Sequence, residues 1–251
     1  MSYLDKRREA TSVITDIRNF SKTFKDYQLK DSGLFLEFID SYYMNQTNLA
    51  NLISDDVYMS STGDGIVSIF LGENNHKEGF SYILASQRLL NKICDKFMSE
   101  NKESFISFGM GADSGNVWSV GTGFLSTYVG TVINRSSRVE GMTKLFSNTT
   151  TAIGNGLYMK LLKDYYPTFY QVIKDNGCYD SVLNENPEAV LISKKFTLQY
   201  IFDMPLKGIQ GDAPIFRVSE SLINDDSLYY DLLKKLIGEE KTELIKKIIN
   251  D

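Results

Sequence analysis

The chain is predicted to fold as α+β, with helices layered on one sheet. Three observations carry this. β-prone runs alternate with helical stretches of amphipathic spacing, an Asp-Gly pair separates two such runs, and the order reads strand, helix, hairpin, helix, hairpin, helix. The 251 residues, 42% apolar with 15 Phe and 15 Tyr, are ample for a buried core.

Ser12-Val13-Ile14-Thr15-Asp16 reads as a short first strand after a polar leader, followed by a break at Arg18-Asn19-Phe20-Ser21. Asp31 and Ser32 are candidate caps for a helix with Phe35, Phe38, Ile39, Tyr42, Leu49 and Leu52 on one face. Val57–Ser61 and Ile66–Phe70 read as strands around Thr62-Gly63-Asp64-Gly65. A second helix places Phe80, Ile83, Leu84, Leu90, Cys94 and Phe97 on one stripe. Phe105 to Ala112 alternates bulky and small residues, and Gly115, Gly121 and Gly123 punctuate a further hairpin through Val117–Val120. A helix is expected from Asn134 to about Phe146 and another from Leu157 to Phe169. Strands are expected over Phe196–Phe202 and Ile215–Val218 around the turn at Gly208–Asp212, then an amphipathic tail from Ser227 to Ile249 with a break at Gly238.

Composition excludes several classes. With 27 basic and 32 acidic residues the net charge is −5, which lacks the cationic face a nucleic-acid binder needs. The one histidine, His76, lies in a polar stretch read as a solvated surface loop, so a His-rich zinc site cannot be assembled. Cys94 and Cys178 form no Cys-x-x-Cys, and Cys94 reads as a core residue. No apolar run approaches membrane-spanning length, direct membrane insertion is not expected, and the charged N-terminus lacks a signal core. The expected location is cytoplasmic.

Two carboxylates stand out. Asp16 ends the first strand and Asp64 sits at the tip of the first hairpin, so neighbouring elements would bring both out at one end of the sheet. Paired carboxylates beside backbone carbonyls suit Mg²⁺ or Mn²⁺. Taken singly, Asp16 reads as well as a cap and Asp64 as an ordinary turn residue.

With their flanks they say more. Thr15-Asp16-Ile17-Arg18-Asn19-Phe20, Ser61-Thr62-Gly63-Asp64-Gly65 and Val129-Gly130-Thr131-Val132-Ile133-Asn134-Arg135-Ser136-Ser137-Arg138-Val139-Glu140 resemble, in order and spacing, the motifs of class III nucleotidyl cyclases. The resemblance runs from Val13 to Val218, and the combination is most similar to the bacterial pyrimidine cyclases of antiphage defence. It implies a catalytic domain over residues 1–220, with a ferredoxin-like βαββαβ core and a mostly antiparallel sheet, and a helical extension over 221–251.

The resemblance also implies roles. Asp16 and Asp64, with the Ile17 carbonyl, match the ligands of two divalent metals, Mn²⁺ or Mg²⁺. Arg18, Asn19, Phe20 and Ser21 match the segment that presents backbone N–H groups to the β- and γ-phosphates at a helix start. Many relatives have Gly at the place of Asn19, and Asn tolerates left-handed backbone. Asn134 and Arg138, four residues apart on one helical face, match the residues that orient the ribose and stabilise the α-phosphate. Lys207 is similar to a late phosphate-contacting lysine, though an exposed turn lysine is the competing reading.

The base pocket departs from the adenine-reading pattern. Ser60 and Thr127 stand where those relatives place a Lys and an Asp, while Tyr58 and Tyr128 add aromatic bulk. The resemblance thus points to a homodimer with interfacial sites, making cyclic UMP or cyclic CMP that a separate effector would read. A purine cyclase with an atypical pocket and a catalytically silent nucleotide-binding module are the alternatives. No Gly-Gly-Asp/Glu-Glu-Phe hairpin is present, which disfavours a diguanylate cyclase.

Overall fold

The computed structural model describes residues 6–28, 32–100, 106–121, 126–145, 151–176, 198–205, 212–218 and 224–250. Their sheet has eight strands in the order β2-β3-β1-β4-β6-β8-β7, with β5 paired to β4. The strands are β1 Arg7–Arg18, β2 Val57–Ser61, β3 Gly65–Phe70, β4 Ser107–Val120, β5 Thr127–Val129, β6 Thr151–Gly154, β7 Leu198–Pro205 and β8 Asp212–Val218. All pairings are antiparallel except β4 with β6. The expected α+β class and mostly antiparallel sheet are therefore found.

Strand alternation sorts the two faces. From β1, Val13 and Ile17 enter the larger core, and from β4 so do Phe108, Met110 and Ala112. Against this face pack α2 (Ser32–Ile53) and α3 (Asn75–Glu100), which bury Phe35, Phe38, Tyr42, Phe80, Ile83 and Cys94. Helix α1 (Phe20–Gln28) is held there by rings: Phe20 and Phe24 stack at 5.9 Å, and Phe24 and Tyr27 each lie 5.7 Å from Phe35. Ring pairs at such distances add to the burial of their area.

The other face seats α4 (Thr131–Thr143). The small residues of the β4 alternation explain how it fits. A Cβ on Gly111 would stand 2.0 Å from the Glu140 backbone nitrogen and 2.4 Å from the Ser136 carbonyl oxygen, so only glycine admits the helix. Ser136 Oγ donates to the Ser12 carbonyl at 2.9 Å, fixing α4 to β1. A second apolar cluster of Ala10, Ile69, Leu71, Val117 and Val132 lies on this side, with Tyr58, Tyr128 and Ile133 packed against it.

Helices α5 (Asn155–Tyr165) and α6 (Pro167–Asn176) follow β6, and α7 (Asp226–Ile237) and α8 (Glu239–Asn250) end the described chain. The α7–α8 pair buries Tyr229, Leu233, Leu236 and Ile245 in the larger core. Arg88 on α3 stacks 3.7 Å over the Tyr229 ring and bonds Asp226 at 2.6 Å, which anchors α7. Gly238, at φ +87°, breaks the pair where the sequence indicates.

Several expectations need correction. β1 is 12 residues long, so its pairing takes in part of the supposed polar leader. β4 runs unbroken through Gly115 to Val120, and its last residues, Trp118 to Val120, pair with β5. His76 is in the first turn of α3, not a loop, and its Nε2 meets Asp164 at 2.9 Å with the side chain 12% exposed. Burial lowers its pKa, against the pull of Asp164. The helix expected over Leu157–Phe169 is two, divided at Tyr166 by Pro167, a residue that starts helices readily but cannot continue one. Cys178, Phe196 and Lys207 lie outside the described residues. No helix is long and apolar enough to cross a membrane among the described residues.

Candidate active site

Asp16 and Asp64 are brought together by backbone pairing. Asp16 stands opposite Gly65 in the β1–β3 register, and the Ile17 N–H donates to the Asp64 carbonyl at 2.8 Å. A Cβ on Gly65 would come 2.3 Å from the Thr15 carbonyl oxygen, so the close approach depends on glycine. Tyr43 on α2 braces the turn, its hydroxyl donating to the Gly63 carbonyl at 2.8 Å. Beside it Tyr42 is fully buried, and its hydroxyl has no hydrogen-bond partner among the described residues. Burial, reinforced by Tyr82, Tyr43, Asp16 and Asp64, raises the Tyr42 pKa well above the usual value.

Both carboxylates line one cavity of about 410 Å³, together with the segment from Ile17 to Lys22 and Lys144. Asn19 takes φ 61°, the one positive φ outside glycine among the described residues, and its carbonyl accepts from Thr23 N at 2.9 Å. The left-handed turn leads directly into α1, whose opening N–H groups have no earlier helical turn to bond. Arg18, Asn19, Phe20 and Ser21 all line this cavity.

Three charged groups interlock beside Asp16. Lys144, just past α4, puts its Nζ 2.9 Å from Asp16 Oδ2 and 3.5 Å from Glu140 Oε2. Burial opposes the Lys144 ammonium, but its hydrogen bond to Asp16 and the charge of Glu140 outweigh it and raise its pKa. Burial raises the Glu140 pKa, with Lys144 and Arg18 pulling the other way. Arg18 is lowered by burial, and its Nη2 donates to Thr143 Oγ1 at 2.7 Å. The Asp16, Ile17 and Asp64 donors are oxygens, the set that hard divalent cations take, and Asp16 already holds a cationic partner. The donor set therefore fits Mg²⁺ or Mn²⁺. No group of three or more His, Cys, Asp or Glu poised around one point occurs among the described residues.

The remaining predicted residues gather elsewhere. Tyr58 on β2 donates to Thr127 Oγ1 on β5 at 3.3 Å, and its ring meets Tyr128 edge-on at 5.3 Å. Ser60 and Thr127 are exposed. Val132 and Ile133 in the first turn of α4 pack into the same cluster, followed by exposed Asn134 and half-buried Arg138. Asn134 and Arg138 do not line the carboxylate cavity. Lys144, which reaches Asp16, lies about 15 Å along the helix from Asn134 and about 9 Å from Arg138. One chain thus presents two groups of residues, one just past the end of α4 and one along its first turn and middle.

Between Asn134 and Arg138 sits a residue the sequence reading left unassigned. Arg135 bonds buried Asp113 through Nε at 2.5 Å and the Ser114 carbonyl through Nη2 at 2.9 Å. Asp113 also accepts from the N–H groups of Ser114 and Leu157, so it joins β4, α4 and α5. Burial raises the Asp113 pKa, while Arg135 and the two N–H groups oppose the rise. An arginine in a helix motif carried no local sign of this role, nor did Glu140, Tyr43 or Lys144.

This fold is that of class III nucleotidyl cyclase catalytic domains. It resembles the adenylyl cyclase CyaB from P. aeruginosa at a TM-score of 0.62 and 16% identity, over 85% of this chain and 94% of that one. It is also similar to the guanylate cyclase domain of RhGC from Catenaria anguillulae, solved with GTP, at 0.57 and 17%, over 85% and 98%. The guanylyl cyclase Cya2 aligns at 0.54 and 16%, over 84% and 92%. No protein-family model and no curated protein matches the sequence.

Proposed function

We propose that the chain is a homodimeric nucleotidyl cyclase that converts a pyrimidine nucleoside triphosphate, UTP ahead of CTP, to the 3′,5′-cyclic monophosphate and pyrophosphate. The observation that carries this is the division of the motif residues. Asp16 and Asp64 share a cavity from which Asn134 and Arg138 are absent. A two-fold dimer that sets one chain's α4 against its partner's cavity would complete two identical sites. Tyr58 and Tyr128, partly exposed, and Val129, 47% exposed, offer apolar surface for such a contact.

In this reading the backbone N–H groups from Arg18 to Ser21 hold the β- and γ-phosphates at the start of α1. Arg138 supplies fixed, forked positive charge to the α-phosphate oxygens, and Asn134 orients the ribose. The 3′-oxygen attacks the α-phosphorus in line, the bond to the bridging oxygen breaks, and pyrophosphate leaves with its electron pair. The hydroxyl proton passes to solvent. Divalent cations at Asp16, Asp64 and the Ile17 carbonyl would neutralise triphosphate charge and acidify the 3′-hydroxyl. Lys207 is assigned to phosphate by its motif alone.

The base preference rests on Ser60 and Thr127, too short to replace the Lys and Asp of adenine-reading relatives, and on the Tyr58–Thr127 contact that narrows the space beside them. The catalytic unit would span residues 1–220, with 221–251 as an extension whose helices share the core. The protein would act in the cytoplasm as a second-messenger synthase of antiphage defence, its product read by a separate cyclic-nucleotide-binding effector. The test is incubation of purified protein with each of the four ribonucleoside triphosphates and Mn²⁺, with products separated by mass. Cyclic UMP or cyclic CMP as the dominant product supports the reading. Equal turnover of purines removes the pyrimidine assignment, and no cyclic product from any triphosphate removes the enzyme.

A further inference from the structure

The charged cluster at the end of α4 has no part in the reaction as derived. Lys144 Nζ lies 2.9 Å from Asp16 Oδ2, lines the carboxylate cavity, and keeps half its side chain in solvent. Glu140 is buried one turn earlier, with Oε2 at 3.5 Å from the same ammonium and Oε1 without a hydrogen-bond partner among the described residues. Arg18, which also lines the cavity, donates to Thr143. Lys144 is therefore the group that neutralises Asp16 directly, on a flexible four-carbon stem that can leave the cavity without disturbing the fold.

We propose that Lys144 is a built-in counter-cation of Asp16, a monovalent placeholder that a divalent cation must displace. This rests on the metal site of the proposed function. An ammonium and a divalent cation cannot share one carboxylate in a half-buried cavity without strong repulsion, so metal entry drives Lys144 outward. The tether sets the affinity for metal, because each binding event must first break the Lys144–Asp16 pair. By linkage, the ion also releases the end of the helix that carries Asn134 and Arg138.

The experiment titrates Mn²⁺ without nucleotide into the full chain, reading free Mn²⁺ by electron paramagnetic resonance. Wild type, Lys144→Met, Lys144→Arg and Asp16→Asn are compared, and melting is followed in EDTA and in saturating Mn²⁺. Lys144→Met should bind Mn²⁺ about tenfold more tightly than wild type, and Lys144→Arg within about twofold of it. Lys144→Met should also melt below wild type in EDTA, the difference closing with Mn²⁺ bound. Unchanged or weaker Mn²⁺ binding by Lys144→Met overturns the placeholder. Asp16→Asn separates the two levels: if it binds Mn²⁺ as wild type does, the metal site itself is wrong.

Discussion

The backbone N–H of Ile17 donates to the carbonyl of Asp64 at 2.8 Å. This bond joins the end of β1 to the tip of the β2–β3 hairpin, so main-chain pairing sets the relation of the Asp16 and Asp64 carboxylates. Their side chains can change without moving the strands that carry them.

Asp16→Asn and Asp64→Asn should accordingly keep the fold and lose the reaction. Each swap removes charge at near-constant shape, so melting should shift by only a few degrees while turnover falls by about a thousandfold. Calorimetry beside a product assay checks both halves. A variant with near wild-type turnover would remove that carboxylate from the chemistry.

Gly111→Ala should be costly for its size. The added methyl meets the backbone of Glu140 and Ser136, which cannot swing away as a side chain can, and α4 must lift. A loss of about 1–3 kcal/mol is expected by denaturant unfolding, with turnover reduced because Asn134 and Arg138 ride on the displaced helix. Wild-type stability would mean α4 is seated more loosely than described.

The alternation that placed Gly111 was legible because bulky and small residues take opposite faces of one strand. The Asp64 hairpin was legible from its Asp-Gly turn, and the left-handed Asn19 from its motif. Other features depended on distant partners. Gly115 looks like a strand breaker, yet the strand continues because Val132 and Arg135 lie over it. The His76 stretch reads as loop because its partner, Asp164, is 88 residues away. β6 is four residues long and is made a strand by β4 and β8 on either side. Lys144 meets Asp16 across 128 residues, beyond any local pattern.

Arg135→Met should destabilise the protein by about 3–5 kcal/mol at neutral pH, since Asp113 would be left buried without its ion pair. The pH dependence has a definite sign. Burial already holds the folded-state pKa of Asp113 above its unfolded value, and loss of Arg135 raises it further. The penalty is present while Asp113 is ionised and is relieved as it protonates, so the deficit against wild type should shrink as pH falls through the raised folded-state pKa. A deficit constant across the acidic range would assign the effect to packing.

Tyr58→Ala removes both the hydroxyl on Thr127 and the ring against Tyr128. The ratio of kcat/KM for pyrimidine over purine triphosphates should fall about tenfold, within the range set by pocket shape. Mn²⁺ affinity should not move. An unchanged ratio would show that base choice lies elsewhere.

The most direct measurement mixes two inactive variants, Asp16→Ala and Arg138→Ala, after subunit exchange verified by native mass spectrometry. Random pairing makes about half the dimers mixed, each with one intact site of two, so activity should return to about one quarter of wild type. Mixed dimers that form and remain inactive would contradict a site shared between the Asp16–Asp64 cavity of one chain and the α4 helix of its partner.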